Sequence, residues 1–329
     1  MFNMIKIIKK FIIIDLLLVM TLCLFSCKGI DFENKKLADA KELPLGETMV
    51  FIAEEKNKYE NKFGKEIWSL TSGSRDAYFK DYVVYTVKKF VEKIMKLKLV
   101  AVDLNVMISK EDEEKLEKAF NEYYNLLTYD DFDYMMSTED DIRQAFNDYH
   151  LSRLVIDNLA KKATDEISVS EAKVISVQYM VFDNRETAYK TREDLKARGA
   201  NFSYFAKTRS IEDDIDMIVK RGDENSVNFP QLFYLTRGEI SDVMESKNKY
   251  YIFRCVSDYL PEETEERRIE ILKSMKNNEF NDNYIKYDED YYVLSNSNYW
   301  KNIDLAKGNN CTINEFENIY YKYFPKNIK

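Results

Sequence analysis

Hydrophobic positions between residues 79 and 159 recur at three- and four-residue spacings, which predicts three amphipathic helices. The second helix begins after Ser109, and Asp112 stands at its capping-box position. The third begins after Thr138, and Asp141 stands at the equivalent position. The pattern therefore predicts a helical region of about 80 residues, in which two helix starts are marked by their own side chains.

The segments on either side of these helices are also assigned from their pattern. Residues 49–53 form a short apolar run that predicts a strand, and residues 54–70 predict a helix. After Pro261, residues 262–286 return to helical spacing.

The period changes near residue 168. Residues 173–182 alternate and are rich in β-branched side chains, and residues 248–257 read in the same way, so both predict strands. Between them, residues 184–198 and a short segment capped by Asn201 predict two helices. Residues 211–228 are acidic and are predicted to be irregular. The whole segment is a β-α-α-β unit within helical surroundings.

These assignments predict an α+β fold in which a small unit is inserted into a mostly helical domain. The predicted bounds are 1–26 for a signal peptide, 27–48 for a tether, 49–168 plus 261–305 for the helical domain, 169–260 for the inserted unit and 306–329 for a C-terminal tail.

The N-terminus predicts export. Three lysines at positions 6, 9 and 10 precede an apolar run, residues 11–25, which ends at Ser26 and Cys27. The run is about 15 residues, shorter than the ~20 that span a bilayer, and it contains Asp15.

The end of this segment, Leu24-Phe25-Ser26-Cys27, looks like a bacterial lipobox, although Phe25 is bulkier than the usual residue there. The likeness implies cleavage before Cys27 and acylation of its thiol, which places the protein outside the cytoplasm on a bacterial membrane. A transmembrane anchor, or ordinary cleavage that leaves Cys27 free or oxidised, remains open.

The composition of the chain bears on which partners, metal sites and disulfides it can have. The net charge of −9 argues against a nucleic-acid partner, since such binding needs basic surfaces. The single histidine, His150, rules out multi-histidine metal sites and is expected at the surface or its boundary. No metal or cofactor is expected. Pairing between Cys255 and Cys311 stays open, because sequence cannot establish it.

Residues 71–305 resemble the PrsA/SurA class of exported foldases, in which a parvulin-type peptidyl-prolyl isomerase domain interrupts a helical chaperone domain. The resemblance rests on the order and spacing of five phrases: VDLNVMIS (Val102 to Ser109), EISVSEAKVISVQYMVF (Glu166 to Phe182), ETAYKTREDLKARGANFSYFAKTRS (Glu186 to Ser210), PQLFYLTRGEIS (Pro230 to Ser241) and NKYYIFRCVSDY (Asn248 to Tyr259). It implies that the helical domain is SurA-like and that the β-α-α-β unit is parvulin-like.

The chain departs from the parvulin pattern at the positions that matter for catalysis. Tyr179 and Tyr251 stand where the two parvulin histidines would be, and Glu212 or Asp213 lies near the central acidic position. The glycine-rich phrase that follows is reduced to residues 221–224. The resemblance therefore implies a degenerate active site with weak or absent isomerase activity, and no catalytic residue is assigned.

Three functional hypotheses follow from the resemblance. The first is a membrane-anchored extracytoplasmic chaperone, whose partners are unfolded or partly folded exported proteins. The second is a divergent but active peptidyl-prolyl isomerase. The third is an envelope lipoprotein that serves one fixed partner.

Overall fold

The computed structural model describes residues 36–37, 44–72, 77–162, 166–293 and 297–325. The predicted signal peptide and Cys27 lie outside these ranges. The chain divides into two compact units. The first combines the chain up to residue 162 with residues 277–327, and the second is formed mainly by residues 163–276, a wider span than the 169–260 expected from the sequence.

The first unit is helical. Within its described ranges, the helices and the short strand pairs are α1 (Leu45–Phe63), a 3₁₀ turn (Lys65–Ser69), α2 (Phe79–Asp103), α3 (Lys110–Tyr124), α4 (Tyr129–Met135), α5 (Glu139–Leu159), α11 (Ser297–Lys301), α12 (Phe316–Tyr323), and the strands β1 (Lys36–Leu37), β2 (Thr71–Ser72), β3 (Ala77–Tyr78) and β8 (Tyr291–Tyr292). Strand β1 pairs with β8 in parallel, and β2 pairs with β3 antiparallel.

Both helix starts predicted from capping boxes are present. Ser109 caps α3 by accepting the Asp112 N–H, and Thr138 caps α5 by accepting the Asp141 N–H. Each bond satisfies one of the backbone donors that a helix leaves free at its N-terminus. The helical region predicted from periodicity is therefore confirmed.

The strand predicted at residues 49–53 is wrong. These residues lie inside α1, and all five of their side chains are buried. A continuous apolar run is compatible with either a buried strand or a helix that is buried on several sides, so periodicity could not separate the two. Residues 45–48, predicted to be part of the tether, form the first turn of this same helix.

The segment predicted as a C-terminal tail is part of the first unit's core. Phe316 of α12 packs against the rings of Phe146, Phe51, Tyr123 and Tyr149, at centroid distances of 4.1, 5.4, 5.9 and 5.5 Å. These rings belong to α1, α3 and α5, so α12 is the element on which three helices converge.

Polar contacts hold the same C-terminal segment to α1 and α4. The Asn57 amide donates to the Ile313 carbonyl at 2.8 Å, and Asp131 accepts the N–H groups of Thr312 and Ile313 at 2.7 and 3.1 Å. Glu54 accepts the Phe316 N–H at 3.1 Å and the Tyr123 hydroxyl at 2.8 Å. The irregular backbone before α12 thus satisfies its donors inside the core.

The lone histidine is buried, which corrects the expectation that it lies at the surface. His150 Nδ1 is 2.8 Å from the Tyr320 hydroxyl, and its ring lies 4.2 Å from that of Phe324. Burial lowers the pKa of His150, against the opposing influence of Asp112. The residue is part of the packing between α5 and α12.

The second unit is α+β, as predicted. Its elements are α6 (Val169–Ala172), β4 (Val174–Phe182), α7 (Arg185–Asp194), α8 (Phe202–Arg209), β5 (Asp216–Lys220), α9 (Glu224–Asn228), a 3₁₀ turn (Pro230–Tyr234), β6 (Met244–Ser246), β7 (Lys249–Ser257) and the first part of α10 (Pro261–Asp290). Over residues 166–276, the strands form one antiparallel sheet in the order β5-β4-β7-β6.

Residues 211–228, predicted to be irregular, instead supply an edge strand and a helix, β5 and α9. Strand β5 pairs with β4 in register Ile175 to Val219. The burial of β5 alternates, but its exposed position 218 is an isoleucine, so Met217, Ile218 and Val219 form a continuous apolar run and the sequence lacks the alternation of a half-buried strand.

The two faces of the sheet bury different side chains, as the period of two requires. Even-numbered residues of β4, Met180 and Phe182, pack with α7 and α8. Odd-numbered residues such as Val177 and Tyr179 pack with Phe229 and the 3₁₀ turn after α9. One face is therefore covered by helices, and the other carries the positions that resemble the parvulin site.

Cys255 and Cys311 are both buried free thiols. No helix within the described ranges is both long enough and apolar enough to cross a bilayer.

Glu54 makes the stability of the first unit dependent on pH. Burial raises its pKa from 4.5 to about 8, although Tyr123 and Phe316 donate to it. Because the folded pKa is raised, the stabilisation is complete below about pH 4.5 and is lost as the pH rises through about 8. We expect Glu54→Gln to remove up to about 1.4 kcal/mol per pH unit from the slope of unfolding free energy against pH in that window.

Urea unfolding followed by Trp68 and Trp300 fluorescence measures this slope, since both tryptophans lie buried in the first unit. The exposed residue Glu66 provides the matched control, and Glu66→Gln should keep the wild-type slope. A wild-type slope in Glu54→Gln would contradict the assignment.

Candidate functional site

Tyr179 and Tyr251, which the resemblance would place at the two parvulin histidine positions, lie on the same face of the sheet. Tyr179 of β4 pairs directly across from Phe253 of β7, and Tyr251 lies two residues from Phe253 on the same strand. The Phe253 ring stacks with both tyrosines, at 6.3 Å from Tyr179 and 6.0 Å from Tyr251. The structure thus brings the two predicted positions together around a phenylalanine.

Phe229 covers this arrangement. Its ring centroid lies 4.8 Å from that of Tyr251 and 4.9 Å from that of Phe253. Together with Phe233, which is also buried, these side chains form what we call the aromatic face: Tyr179, Phe229, Phe233, Tyr251 and Phe253. The sequence showed Phe229 only as the start of an apolar run, because its position over Tyr251 depends on α9 and the turn after it.

Of the two acidic candidates, Glu212 belongs to the site. Its carboxylate accepts the Tyr179 hydroxyl at 3.1 Å and lies 3.4 Å from Lys249 Nζ. Asp213 is exposed and makes no hydrogen bond to the aromatic face. Burial, together with Glu212, raises the pKa of Tyr179 to about 12, so its hydroxyl stays a neutral donor at physiological pH.

The hydrogen-bonding capacity of Tyr179 and Tyr251 differs from that of two paired histidines. A histidine offers two ring nitrogens that can exchange donor and acceptor roles, whereas a tyrosine offers one hydroxyl. The Tyr179 hydroxyl is engaged by a carboxylate, and the space in front of Tyr251 is filled by Phe229. The aromatic face is built for packing, with one hydrogen-bonded polar pair at its edge.

A second candidate site is a cleft of about 420 Å³ in the first unit, which we call the methionine cleft. Apolar side chains contribute much of its lining, and polar side chains stand among them. The lining residues are Leu45, Met49, Asp133, Tyr134, Met136, Tyr299, Asn302, Ile303, Asp304, Lys307 and Gly308. Its volume lies within the roughly 300–1,000 Å³ typical of ligand pockets.

Local backbone geometry shapes this cleft. Met136 ends α4 in the left-handed conformation, with φ of 51°, and its side chain is 67% exposed. Gly308 has φ of +67°, and a Cβ there would lie 2.2 Å from Cδ2 of Tyr134. Only glycine allows that approach, so the loop carrying Ile303 and Lys307 is held against Tyr134.

The cleft could not be found from sequence spacing. It joins α1 and α4 to residues 299–308, which follow α4 by more than 160 positions and the start of α1 by about 250. Within the described residues, no group of three or more histidine, cysteine or acidic side chains is arranged to hold a metal ion.

Comparison with known proteins gives a consistent set of structural neighbours. No protein-family model matches the chain, and no curated protein matches it. Similar solved structures include the peptidylprolyl isomerase PrsA of Bacillus anthracis, with 17% identity, 63% of this chain and 100% of that chain covered, and a TM-score of 0.31.

The PrsA of Bacillus cereus shares 17% identity, with 76% of this chain and 97% of that chain covered and a TM-score of 0.35. A structure of SurA-like chaperones from Campylobacter jejuni shares 14% identity, with 61% and 84% covered and a TM-score of 0.26. The neighbours are PrsA and SurA-like proteins, the class that the sequence resembles.

The Tyr179–Glu212 hydrogen bond is expected to stabilise the second unit. Tyr179→Phe keeps the ring and removes the donor, which should lower the local free energy of unfolding by about 1 kcal/mol, since Glu212 is partly solvated. Amide hydrogen exchange in β4 and β7 measures this change within the unit.

Tyr250→Phe is the matched control, because Tyr250 lies on the opposite face of the sheet. Tyr250→Phe should change the local free energy of unfolding, measured by the same exchange experiment, by less than about 0.5 kcal/mol. Equal effects of the two substitutions would show that the hydroxyl–carboxylate bond contributes no stability.

Proposed function

We propose that the protein is an extracytoplasmic chaperone, attached to a bacterial membrane through a lipid on Cys27, which holds apolar segments of unfolded exported proteins. The methionine cleft carries the proposal. Unbranched, polarisable methionine side chains adapt to varied apolar partners, and the exposed Met136 contributes such surface, whereas Met49 lines the cleft as a buried side chain. Tyr134 and Tyr299 add aromatic surface beside them.

The polar part of the lining fits the same role. Asp133 is exposed at the end of α4, and Asp304 lies 3.8 Å from Lys80 in a half-exposed ion pair. Charged groups around an apolar centre keep an empty cleft soluble and leave its interior free to bind. The proposal needs no covalent chemistry.

We further propose that the parvulin-like unit has little or no isomerase activity. Rotation about a prolyl peptide bond crosses a barrier of about 20 kcal/mol, and lowering it requires a shaped pocket for the twisted amide. The proposal is supported by two contacts: Phe229 packs on Tyr251 and Phe253, and the Tyr179 hydroxyl donates to Glu212, so this face is filled. The unit then serves as a structural or weak binding module.

Aggregation assays test the chaperone role. We expect the protein to suppress light scattering by two unrelated unfolded proteins, citrate synthase and rhodanese, after dilution from denaturant. Leu45→Ser with Met136→Asn removes two exposed apolar groups from the cleft and should reduce this suppression by about half or more. Asparagine suits the left-handed backbone at position 136.

The matched control is Leu126→Ser with Met107→Asn, which removes one exposed leucine and one exposed methionine elsewhere in the first unit. It should behave as wild type. Equal loss in both variants would contradict the assignment of the cleft. No suppression by the wild type, with one stable co-purifying protein, would favour a lipoprotein dedicated to a single partner.

A proline-containing peptide assay tests the inactive parvulin-like unit. We expect a rate of cis–trans exchange close to the uncatalysed one, because the aromatic face is filled. A substantial rate that is lost in both Tyr179→Ala and Tyr251→Ala would establish a working site built on tyrosines instead.

A further inference from the structure

Glu47 is a buried carboxyl group in the helical turn that contributes two residues to the methionine cleft. It lies in the first turn of α1, between Leu45 and Met49, which both line the cleft. Its side chain belongs to a residue that is 4% exposed, and its Oε2 atom accepts no hydrogen bond. An ionised carboxylate in such a position would be costly in free energy.

The groups that face Glu47 are mainly acidic. From α5 come Asp148, which is 1% exposed, and Asp141, and from α2 comes Lys98. Lys98 is already paired with Asp148, which also accepts the Gln144 amide at 2.7 Å. Glu47 therefore faces two carboxylates and one cation that is bound to one of them.

The other helix packed against α1 does not supply a compensating charge. In α4, Asp131 directs its carboxylate to the N–H groups of Thr312 and Ile313. The arrangement around Glu47 is thus satisfied most simply when Glu47 is protonated and shares its proton with Asp148.

We propose that Glu47 is a positioning residue for client binding: protonated Glu47 donates a hydrogen bond to Asp148 and so holds the first turn of α1, with Leu45 and Met49, in the form that shapes the cleft. This inference rests on the proposed role of the cleft in binding unfolded proteins.

The first turn of α1 packs closely against the start of α5. A Cβ on Gly46 would lie 2.2 Å from Oδ2 of Asp141, and the Gly46 carbonyl accepts the Ser137 hydroxyl at 2.7 Å. In the proposal, the hydrogen bond from Glu47 to Asp148 ties the same turn to α5, and ionisation of Glu47 removes that tie from the turn that carries Leu45 and Met49.

The pH dependence follows from the surroundings of the group. Burial, and then the charge of Asp148, raise the pKa of Glu47 to about 8, while Lys98 opposes them. Below that pH the turn is held, and above it the ionised group is repelled by Asp148 and Asp141. One unit above this pKa about one-tenth of Glu47 is protonated, so the Kd for a client should rise by about tenfold.

Two measurements on the full chain test this positioning role. The first follows the ¹³C-methyl resonance of Met49 with pH in the absence of client, assigned by its loss in Met49→Leu. The second measures the Kd for fluorescein-labelled, reduced and carboxamidomethylated α-lactalbumin, a permanently unfolded probe, across the same range. We expect both to change with a midpoint near 8.

Variants separate positioning from general destabilisation. Glu47→Gln mimics the protonated side chain, so it should abolish both transitions and retain tight binding at about pH 9. Asp148→Asn should move both midpoints to lower pH, because it removes the charge that raises the Glu47 pKa. Glu66→Gln, at an exposed glutamate of the same unit, should leave both profiles as in wild type.

The outcomes distinguish this inference from the proposed function. A Met49 resonance with no transition near 8, or a transition that persists in Glu47→Gln, overturns the inference. Client binding that is independent of pH while Met49 titrates also overturns it. If Met49 titrates as expected but the probe binds at no pH, the proposed function fails, and with it the claim that Glu47 serves client binding.

Discussion

The burial of Phe316 is the contact on which the first unit depends. Its ring meets side chains of α1, α3 and α5, which come from three separate parts of the chain. Glu54 accepts both the Phe316 N–H and the Tyr123 hydroxyl, so a polar group fixes the same junction that the rings fill. Ring packing and hydrogen bonding therefore stabilise the same contact between helices. The methionine cleft lies in the unit that this contact holds together.

The two units differ in how far their apolar side chains are buried. In the second unit, Phe229, Tyr251 and Phe253 pack together on one face of the sheet, and that face is part of the core. In the first unit, Met136 and Leu45 remain substantially exposed around a cleft. This contrast is the physical basis for proposing that client binding, rather than isomerase chemistry, is the activity of the protein.

Periodicity predicted the elements whose burial is one-sided. The helices α3 and α5 have a single apolar stripe and capping residues that mark their first turns, so pattern alone located them. Residues 49–53 are all buried in α1, and β5 carries an isoleucine at its exposed position 218, so neither sequence shows the pattern of its class. The resemblance to parvulins pointed to Tyr179, Tyr251 and either Glu212 or Asp213, but the contact of Phe229 with Tyr251 depends on α9, which was not predicted. The cleft joins distant parts of the chain and left no local signal.

The first unit draws its core from residues that lie before and after the second unit in the chain, and this affects the order in which the protein can fold as it is synthesised. Residues 163–276 are contiguous, so their sheet can close while later residues are still emerging. Phe316 follows almost at the end, and until it arrives, the apolar surfaces of α1, α3 and α5 lack their shared partner. Until α12 has been synthesised, the apolar faces of α1, α3 and α5 are exposed. In this respect the protein resembles the unfolded chains that it is proposed to hold.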